Sequence, residues 1–181
     1  MKTGKKTIIT EVPNLNVPHN IPEEGITGIN NWYDKKNVVN NIDWKDYQDT
    51  DIITFNEHYS LHDSVLLNLI NTGTNDLVLV LLFDPYWQEE LRKYQTSSVQ
   101  EWPVLILYFP LVKSIEIDYD LSIKGFPFQI YYMEITEKKG NNLVNTLINS
   151  CYAHYIKIIH SKELKVILYD KEENIIRLSK L

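Results

Sequence analysis

The chain has 181 residues and a mass of 21.3 kDa, the size of one ordinary domain that can bury a core without a disulfide or metal. Its apolar fraction of 44% and charged fraction of 23% are typical of a soluble globular protein and exclude a disordered or collagen-like chain. The net charge of −6 disfavours direct binding to nucleic acid, and the longest apolar run, residues 77–83, is far shorter than the ~20 residues that cross a bilayer.

The first 50 residues differ from the rest of the chain. Pro13, Pro18 and Pro22 alternate with asparagines and glycines, which interrupt the backbone too often for a long helix or strand. We expect a loop-rich arm over residues 1–50 that packs on a β core over residues 51–181. Because no Gly/Ser-rich linker separates the two parts, we predict a single domain over residues 1–181.

The end of this arm is both acidic and aromatic. Five carboxylates between Asp43 and Glu57 face one lysine, Lys45, and the aromatic residues Trp44 and Tyr47 are interleaved with them. A solvated acidic loop would have this composition, but so would a surface that binds a basic partner, since aromatic residues anchor interfaces and complementary charge steers encounter. The candidate partner-binding residues are Asp43, Trp44, Asp46, Tyr47, Asp49 and Asp51.

From Leu61 onward the pattern predicts strands and tight turns. Residues 64–71 and 77–83 are two apolar runs around a Gly-containing loop, which predicts a β-hairpin. Because the second run is apolar at every position, we expect it to lie centrally in a sheet and to be covered on both faces. Its buried side chains should include Leu77, Leu79, Leu81 and Phe83.

Further short elements follow along the chain. Asp84-Pro85 begins a predicted short helix with acidic first and basic last residues. Alternation predicts strands over residues 104–109 and 114–119, and more weakly over 128–136, whereas helical spacing predicts a short helix over 141–151. The last predicted strands, over 152–160, 164–170 and 175–178, form a meander. We therefore predict a mainly β fold, an antiparallel β-sandwich or open barrel with one or two short helices.

The densest set of chemical groups lies in residues 57–64, with the sequence EHYSLHDS. His58 and His62 beside Asp63, together with His160, could hold a metal ion in a hydrolase. A polar turn in which Asp63 or Ser64 accepts a backbone amide explains the same residues, and the His-Glu order of zinc protease helices is absent. Three consecutive residues cannot act as a His-Asp-Ser triad, because each member must reach the next in space. We assign no catalytic residue, and we expect no metal and no cofactor.

Two other residue types could carry chemistry. His154 and His160 fall on one face of a predicted strand, where each is expected to be a core or rim residue. Cys151 is the only cysteine, so an internal disulfide is impossible and a reducing cytoplasm is the expected compartment. Its place in an apolar stripe predicts a buried thiol that behaves as a small hydrophobe.

The order of three features resembles a known group of proteins. The triplet His62-Asp63-Ser64 leads into the apolar hairpin, an aromatic-ended strand and short turn follow at residues 108–116, and a Tyr/Ile strand at 131–135 precedes the final strands. Over about residues 60–180 this order resembles small bacterial β-sandwich proteins, largely uncharacterised, some of them grouped with immunity proteins of polymorphic toxin systems. The Pro-rich arm and the segment around Trp87 fall outside the resemblance.

This resemblance implies a compact, non-enzymatic fold with His62, Asp63 and Ser64 as a signature turn. Combined with the acidic charge, it predicts a cytoplasmic bacterial interaction protein of the immunity type, which masks a basic surface of a toxin and does not bind a membrane. Two alternatives stay open: a metal-dependent hydrolase that uses His58, His62 and Asp63, and a small-ligand-binding β domain with an apolar pocket.

Overall fold

A computed structural model of the chain describes residues 7–9, 15–16, 46–71, 75–118, 128–137, 142–151 and 154–181. Within these ranges the chain forms one α-helix, α1 (Ile52–His58), and three short 3-10 turns, Pro85–Trp87, Glu89–Tyr94 and Val99–Glu101. The same ranges contain the strands β1 (Thr7–Ile9), β2 (Leu15–Asn16), β3 (Gln48–Asp51), β4 (Val65–Asn71), β5 (Leu77–Leu82), β6 (Val104–Phe109), β7 (Val112–Asp118), β8 (Phe128–Glu137), β9 (Leu143–Ser150), β10 (Tyr155–Ser161), β11 (Glu163–Tyr169) and β12 (Ile175–Ile176).

The strands pair antiparallel in two groups that we call sheet A and sheet B. Sheet A has the order β1-β7-β10-β9-β8. Sheet B has the order β4-β5-β6-β11-β12, with β2 beside β4 and β3 beside β11. The fold is thus mainly antiparallel β with short helical elements, as the sequence predicted, and the path of paired strands in the described ranges stays open.

The two sheets are joined in two ways. The first residues of β8 pair with β4, through Val65–Gln129 and Leu66–Phe128, and the rest of β8 pairs with β9. The chain also passes between the sheets at two sharp corners, from β6 to β7 and from β10 to β11. Ser161 Oγ donates a hydrogen bond to the Pro110 carbonyl at 3.1 Å, which holds these two corners together.

The main core lies between the sheets and confirms the predicted central strand. Leu77, Leu79, Leu81 and Phe83 are each no more than 1% exposed. They pack in one cluster with inward residues of β6, β11, β9 and β10. The alternate residues of β5 are buried in a second cluster on the other face of sheet B, which includes Val78, Val80, Leu82, Val104 and Ile106.

The predicted helix over residues 141–151 was wrong, because β9 occupies Leu143–Ser150. The inward side chains of β9 are Val144, Thr146, Ile148 and Ser150. Two of these four are polar, which concealed the period-two pattern in the sequence. Thr146 is tolerated in the core because its Oγ1 lies 2.8 Å from Nε2 of the buried His160.

The predicted three-strand meander at the end of the chain was also wrong in its pairing. β10 pairs with β7 and β9 in sheet A, whereas β11 pairs with β6 in sheet B. Only β11 and β12 form the expected antiparallel pair. The apolar alternation of each strand is the same in either arrangement, so the sequence could not distinguish a hairpin from a corner.

The helix α1 was missed, and its last two residues were included in the polar turn predicted within residues 57–64. The sequence does contain a start signal. Asp51 is the N-cap, and its Oδ1 accepts hydrogen bonds from the amides of Ile53 and Thr54, both at 2.9 Å. Phe55 is fully buried and fixes the helix on the core. The helix predicted at Asp84-Pro85 is present as two 3-10 turns, the first capped by Asp84.

The prediction of a loop-rich arm falls largely outside the described residues. Of residues 1–50, only β1, β2 and residues 46–50 are described. β1 pairs with β7 at the edge of sheet A, and β2 pairs with β4 in sheet B. The single-domain boundary therefore stays a prediction.

Candidate functional site

The predicted signature turn connects three segments that are distant in sequence. Asp63 adopts a left-handed conformation with φ of 63°, which Asp tolerates better than most residues. Its amide donates to the Ile130 carbonyl, and the Ile130 amide donates to the Ser64 carbonyl, both at 2.8 Å. These bonds fasten the start of β4 to β8, so His62 is held beside the residues that follow Ile130.

Ser64 is the member of the turn that accepts a backbone amide. Its side chain is fully buried, and its Oγ accepts the amide of Asp84 at 3.0 Å. The predicted acceptor role of Asp63 is not seen, because its carboxylate instead contacts His62 and the side chain of Gln129. The turn therefore also anchors the segment that follows β5.

Substitution Ser64→Ala should lower the free energy of unfolding by about 1–3 kcal/mol, because it leaves the buried amide of Asp84 without an acceptor. Chemical denaturation of the variant measures this loss. Ser97→Ala is the matched control, since Ser97 is exposed and its substitution should change stability by less than about 0.5 kcal/mol. Equal effects of the two substitutions would contradict the anchoring role of Ser64.

The side chains of His62 and Asp63 are in close contact at the surface. His62 Nδ1 lies 2.8 Å from Asp63 Oδ2, and the two side chains are each about one-third exposed. Nδ1 forms no hydrogen bond of good geometry within the described residues. Asp63 Oδ1 also accepts a hydrogen bond from Gln129 Nε2 at 3.2 Å, which orients the carboxylate.

A continuous row of aromatic rings lies on the surface around His62. We call it the aromatic ribbon, and it consists of Tyr86, Trp87, His62, Tyr131 and Tyr132. Successive ring centroids are 5.2, 4.6, 5.5 and 5.6 Å apart, within the range of aromatic pair contacts. The Tyr and Trp side chains are 45–52% exposed. Four of the six large hydrophobic side chains exposed in the described residues belong to this one surface.

A β-bulge brings both tyrosines to the surface. In the pairing of β8 with β9, Ile130 faces Ser150 and Tyr132 faces Asn149, which leaves Tyr131 as the extra residue. The bulge shifts the phase of the strand, so two consecutive side chains are exposed where a regular strand would bury one. The weak alternation of residues 128–136 is the sequence signal of this bulge.

The turn after β5 presents the other half of the ribbon. Asp84 Oδ1 accepts the amide of Tyr86 at 2.9 Å, and Arg92 Nε donates to the Tyr86 carbonyl at the same distance. Gln88 Nε2 donates to the Ser60 carbonyl at 2.9 Å, which ties this turn to the segment that carries His62. Trp87 is thereby held against the His62 ring.

The carboxyl of Asp84 lies beneath the ribbon in an unusual electrostatic environment. It is only 5% exposed, and burial raises its pKa above the ordinary value. The negative charge of Asp63 raises the pKa further, whereas the hydrogen bond from the Tyr86 amide and the charge of His62 oppose the shift. The ribbon thus contains two carboxylates that repel each other.

The four residues of the metal alternative are not brought together. His58 is exposed at the end of α1, whereas His160 is buried against Phe109 with a ring-centroid distance of 4.8 Å. Only His62 and Asp63 are adjacent. No group of three or more His, Cys, Asp or Glu side chains in the described ranges is arranged to hold a metal ion.

The predicted burial of the remaining histidines is confirmed, whereas the predicted burial of the cysteine is not. His154 and His160 are both buried on one face with Ile156 and Ile158, as predicted. The expectation of a buried Cys151 was wrong, because β9 ends at Ser150 and Cys151 is exposed in the turn that follows. Partial burial and the charge of Asp63 raise the pKa of its thiol, which disfavours a reactive thiolate.

The acidic segment has internal contacts in the part that is described. Asp51 caps α1, and although partial burial acts to raise its pKa, hydrogen bonds from Thr54 and Ile53 hold that pKa below its usual value. Lys165 Nζ lies 3.8 Å from the Tyr47 ring centroid and 3.3 Å from Asp49 Oδ1.

Asp46 is the other described member of the partner-binding set, and it contributes a backbone contact. The carbonyl of Asp46 accepts a hydrogen bond from Arg177. Asp43 and Trp44 lie outside the described residues.

No family model, curated protein or solved structure matches this chain. The likeness to immunity-grouped β-sandwich proteins therefore stays a prediction. No helix within the described part of the chain has the length and apolar character needed to span a membrane.

Proposed function

We propose that this protein is a non-catalytic interaction protein that binds another protein through the aromatic ribbon. The exposure of four large aromatic side chains in one contiguous surface carries this proposal. Trp and Tyr supply most of the binding energy at protein interfaces, because each buries a large area at a small cost in side-chain entropy. The backbone bonds of the signature turn hold the ribbon in place, so little further ordering is needed on binding.

We further propose that the protein is of the immunity type, in a bacterial cytoplasm, and neutralises a toxin. Its net charge of −6 favours a basic partner, because complementary potentials accelerate association. The single cysteine fits a reducing compartment. The resemblance of residues 60–180 to immunity-grouped proteins supports the same class.

The interface is tested by a photo-crosslinking phenylalanine derivative placed at Tyr131 in the native cell. We expect a discrete partner to be crosslinked there and not from Leu111, which is 63% exposed but outside the ribbon. With the purified partner, Trp87→Ala should raise Kd about 30-fold, the effect of losing ~2 kcal/mol at a hot spot. Leu111→Ala should leave Kd unchanged, and equal effects of both variants would contradict the interface.

The immunity assignment is tested with the same partner. Expressed alone in a host that lacks this protein, the partner should arrest growth, and co-expression should restore it. The double variant Trp87→Ala/Tyr131→Ala should fail to protect, although it folds, because both side chains are about half exposed. A crosslinked partner that is harmless would contradict the toxin assignment and leave the interaction surface intact.

A further inference from the structure

The aromatic ribbon offers a carboxylate to a partner as well as a hydrophobic surface. Two carboxylates, Asp63 and Asp84, lie at its centre. Asp63 contacts the His62 ring at 2.8 Å, and Asp84 accepts the amide of Tyr86 at 2.9 Å and a side-chain hydrogen bond from Trp87. Asp63 is about one-third exposed, so a ligand seated on the rings can reach it.

Among the described residues, no lysine or arginine forms an ion pair with Asp63 or Asp84. Asp63 and Asp84 repel each other, and the burial of Asp84 keeps solvent from screening that repulsion. His62 is the side chain that faces both carboxylates, and Arg92 instead lies over the Tyr86 ring at 5.6 Å, toward one end of the ribbon. A positive charge supplied from outside would be favourable beside Asp63, at the centre of the ribbon.

We infer that the ribbon receives an arginine or lysine side chain of the partner protein, seated on the Trp87 and Tyr131 rings and paired with Asp63. This inference rests on the proposed function and names the chemistry of the partner at that surface. Cations bind over the faces of Trp and Tyr, and the planar guanidinium of Arg also stacks on them.

Elsewhere in the fold, a lysine of this protein contacts both an aromatic ring and a carboxylate. Lys165 Nζ lies 3.8 Å from the centroid of the Tyr47 ring and 3.3 Å from the Asp49 carboxylate. The hydrogen bond with Tyr47, and after it the carboxylate of Asp49, raises the pKa of Lys165 and so favours its charged form. A ring and a carboxylate together therefore hold a cation in this protein, and the ribbon offers both groups at a surface.

Charge complementarity favours a basic segment of another protein as the occupant of the aromatic ribbon. The chain has a net charge of −6, and the centre of the ribbon adds two carboxylates to its rings. Single-stranded nucleic acid also stacks on aromatic rows, but it requires a positively charged groove. An uncharged ligand would use the rings but would gain nothing from the negative charge of Asp63.

The test uses two capped hexapeptides of alternating arginine and glycine, one of them with citrulline in place of every arginine. Citrulline keeps the planar shape of arginine but has no charge, and a urea oxygen replaces one of its donor nitrogens. Binding is followed by the Trp87 indole N–H signal in proton–nitrogen correlation spectra, assigned by its loss in Trp87→Phe. We expect the arginine peptide to bind at least about tenfold more tightly than its citrulline twin.

Asp63→Asn should weaken the arginine peptide at least about fivefold and leave the citrulline peptide unchanged. Asn tolerates the left-handed conformation of residue 63 as well as Asp does, so the turn should be preserved. Glu172→Gln is the matched control, since it removes one negative charge from a side chain that is 59% exposed and outside the ribbon.

Three results would overturn the inference. They are equal affinity of the two peptides, equal weakening by Asp63→Asn and Glu172→Gln, and a Trp87 signal that neither peptide shifts. In each case crosslinking from Tyr131 still decides the proposed function independently. If a partner is captured there and the peptides fail, the ribbon is an interface without a cation site.

Discussion

Leu79→Ala is expected to lower the free energy of unfolding by about 2–5 kcal/mol. Leu79 is fully buried in the middle of β5, which pairs with β4 on one side and β6 on the other. It faces the core between the sheets, where two layers of strands hold the walls of the new cavity apart and limit its collapse. Urea or guanidinium denaturation measures the change.

The control for this substitution is Leu111→Ala, which removes the same atoms from a side chain that is 63% exposed. It should change stability by less than about 0.5 kcal/mol. A loss below about 0.5 kcal/mol for Leu79→Ala as well would show that β5 does not lie at the centre of the core.

Acidification from pH 7 to pH 4 is expected to remove about 3 kcal/mol of stability through His160 alone. Burial lowers the pKa of His160 from 6.5 to about 4 in the folded protein, because the charged ring would lose its hydration. Between these two values the unfolded chain binds a proton that the folded chain does not. The contribution of neutral His160 to the free energy of unfolding is therefore complete above pH 6.5, and it is lost as the pH falls through 4.

The measurement is the difference between the wild-type protein and His160→Gln in denaturation experiments across this pH range. Gln does not titrate and can still reach Thr146, the side chain that contacts His160 at 2.8 Å. The two stability curves should converge by about 3 kcal/mol from pH 7 to pH 4, whereas His58→Gln, at an exposed site, should run parallel to the wild type. Parallel curves for His160→Gln would contradict a neutral buried histidine.

Particular residues show why some elements could be predicted and others could not. β5 was predicted because every residue from Leu77 to Leu82 is apolar, which only a strand covered on both faces requires. β9 was missed because Thr146 and Ser150 occupy inward positions that usually hold apolar side chains. Their place in the core depends on partners such as His160, which comes from another strand.

The candidate site also combines residues that the sequence predicted with residues that it did not. The sequence singled out His62, Asp63 and Ser64 as a dense polar turn, but it directed attention to metal chemistry and to the acidic segment. Tyr86, Trp87, Tyr131 and Tyr132 were not predicted, although a Tyr-Trp pair in a turn and a double tyrosine in a weakly alternating strand were visible signals. Neither pair of aromatic residues is unusual in the sequence. Only the fold brings the two pairs together at one surface.

The sequence by itself determined the local features of this protein: the mainly antiparallel strands, the doubly buried β5 and the inward face of β10. These follow from side-chain period and apolar content, which act over a few neighbouring residues. Only the tertiary structure decided which strands pair and that residues 62, 86–87 and 131–132 form one surface. That surface depends on bonds between distant segments, from Asp63 to Ile130 and from Asp84 to Ser64, and on a bulge that re-aims Tyr131. Contacts of this kind leave no periodic trace in the chain, because each one joins two positions whose separation is set by the whole fold.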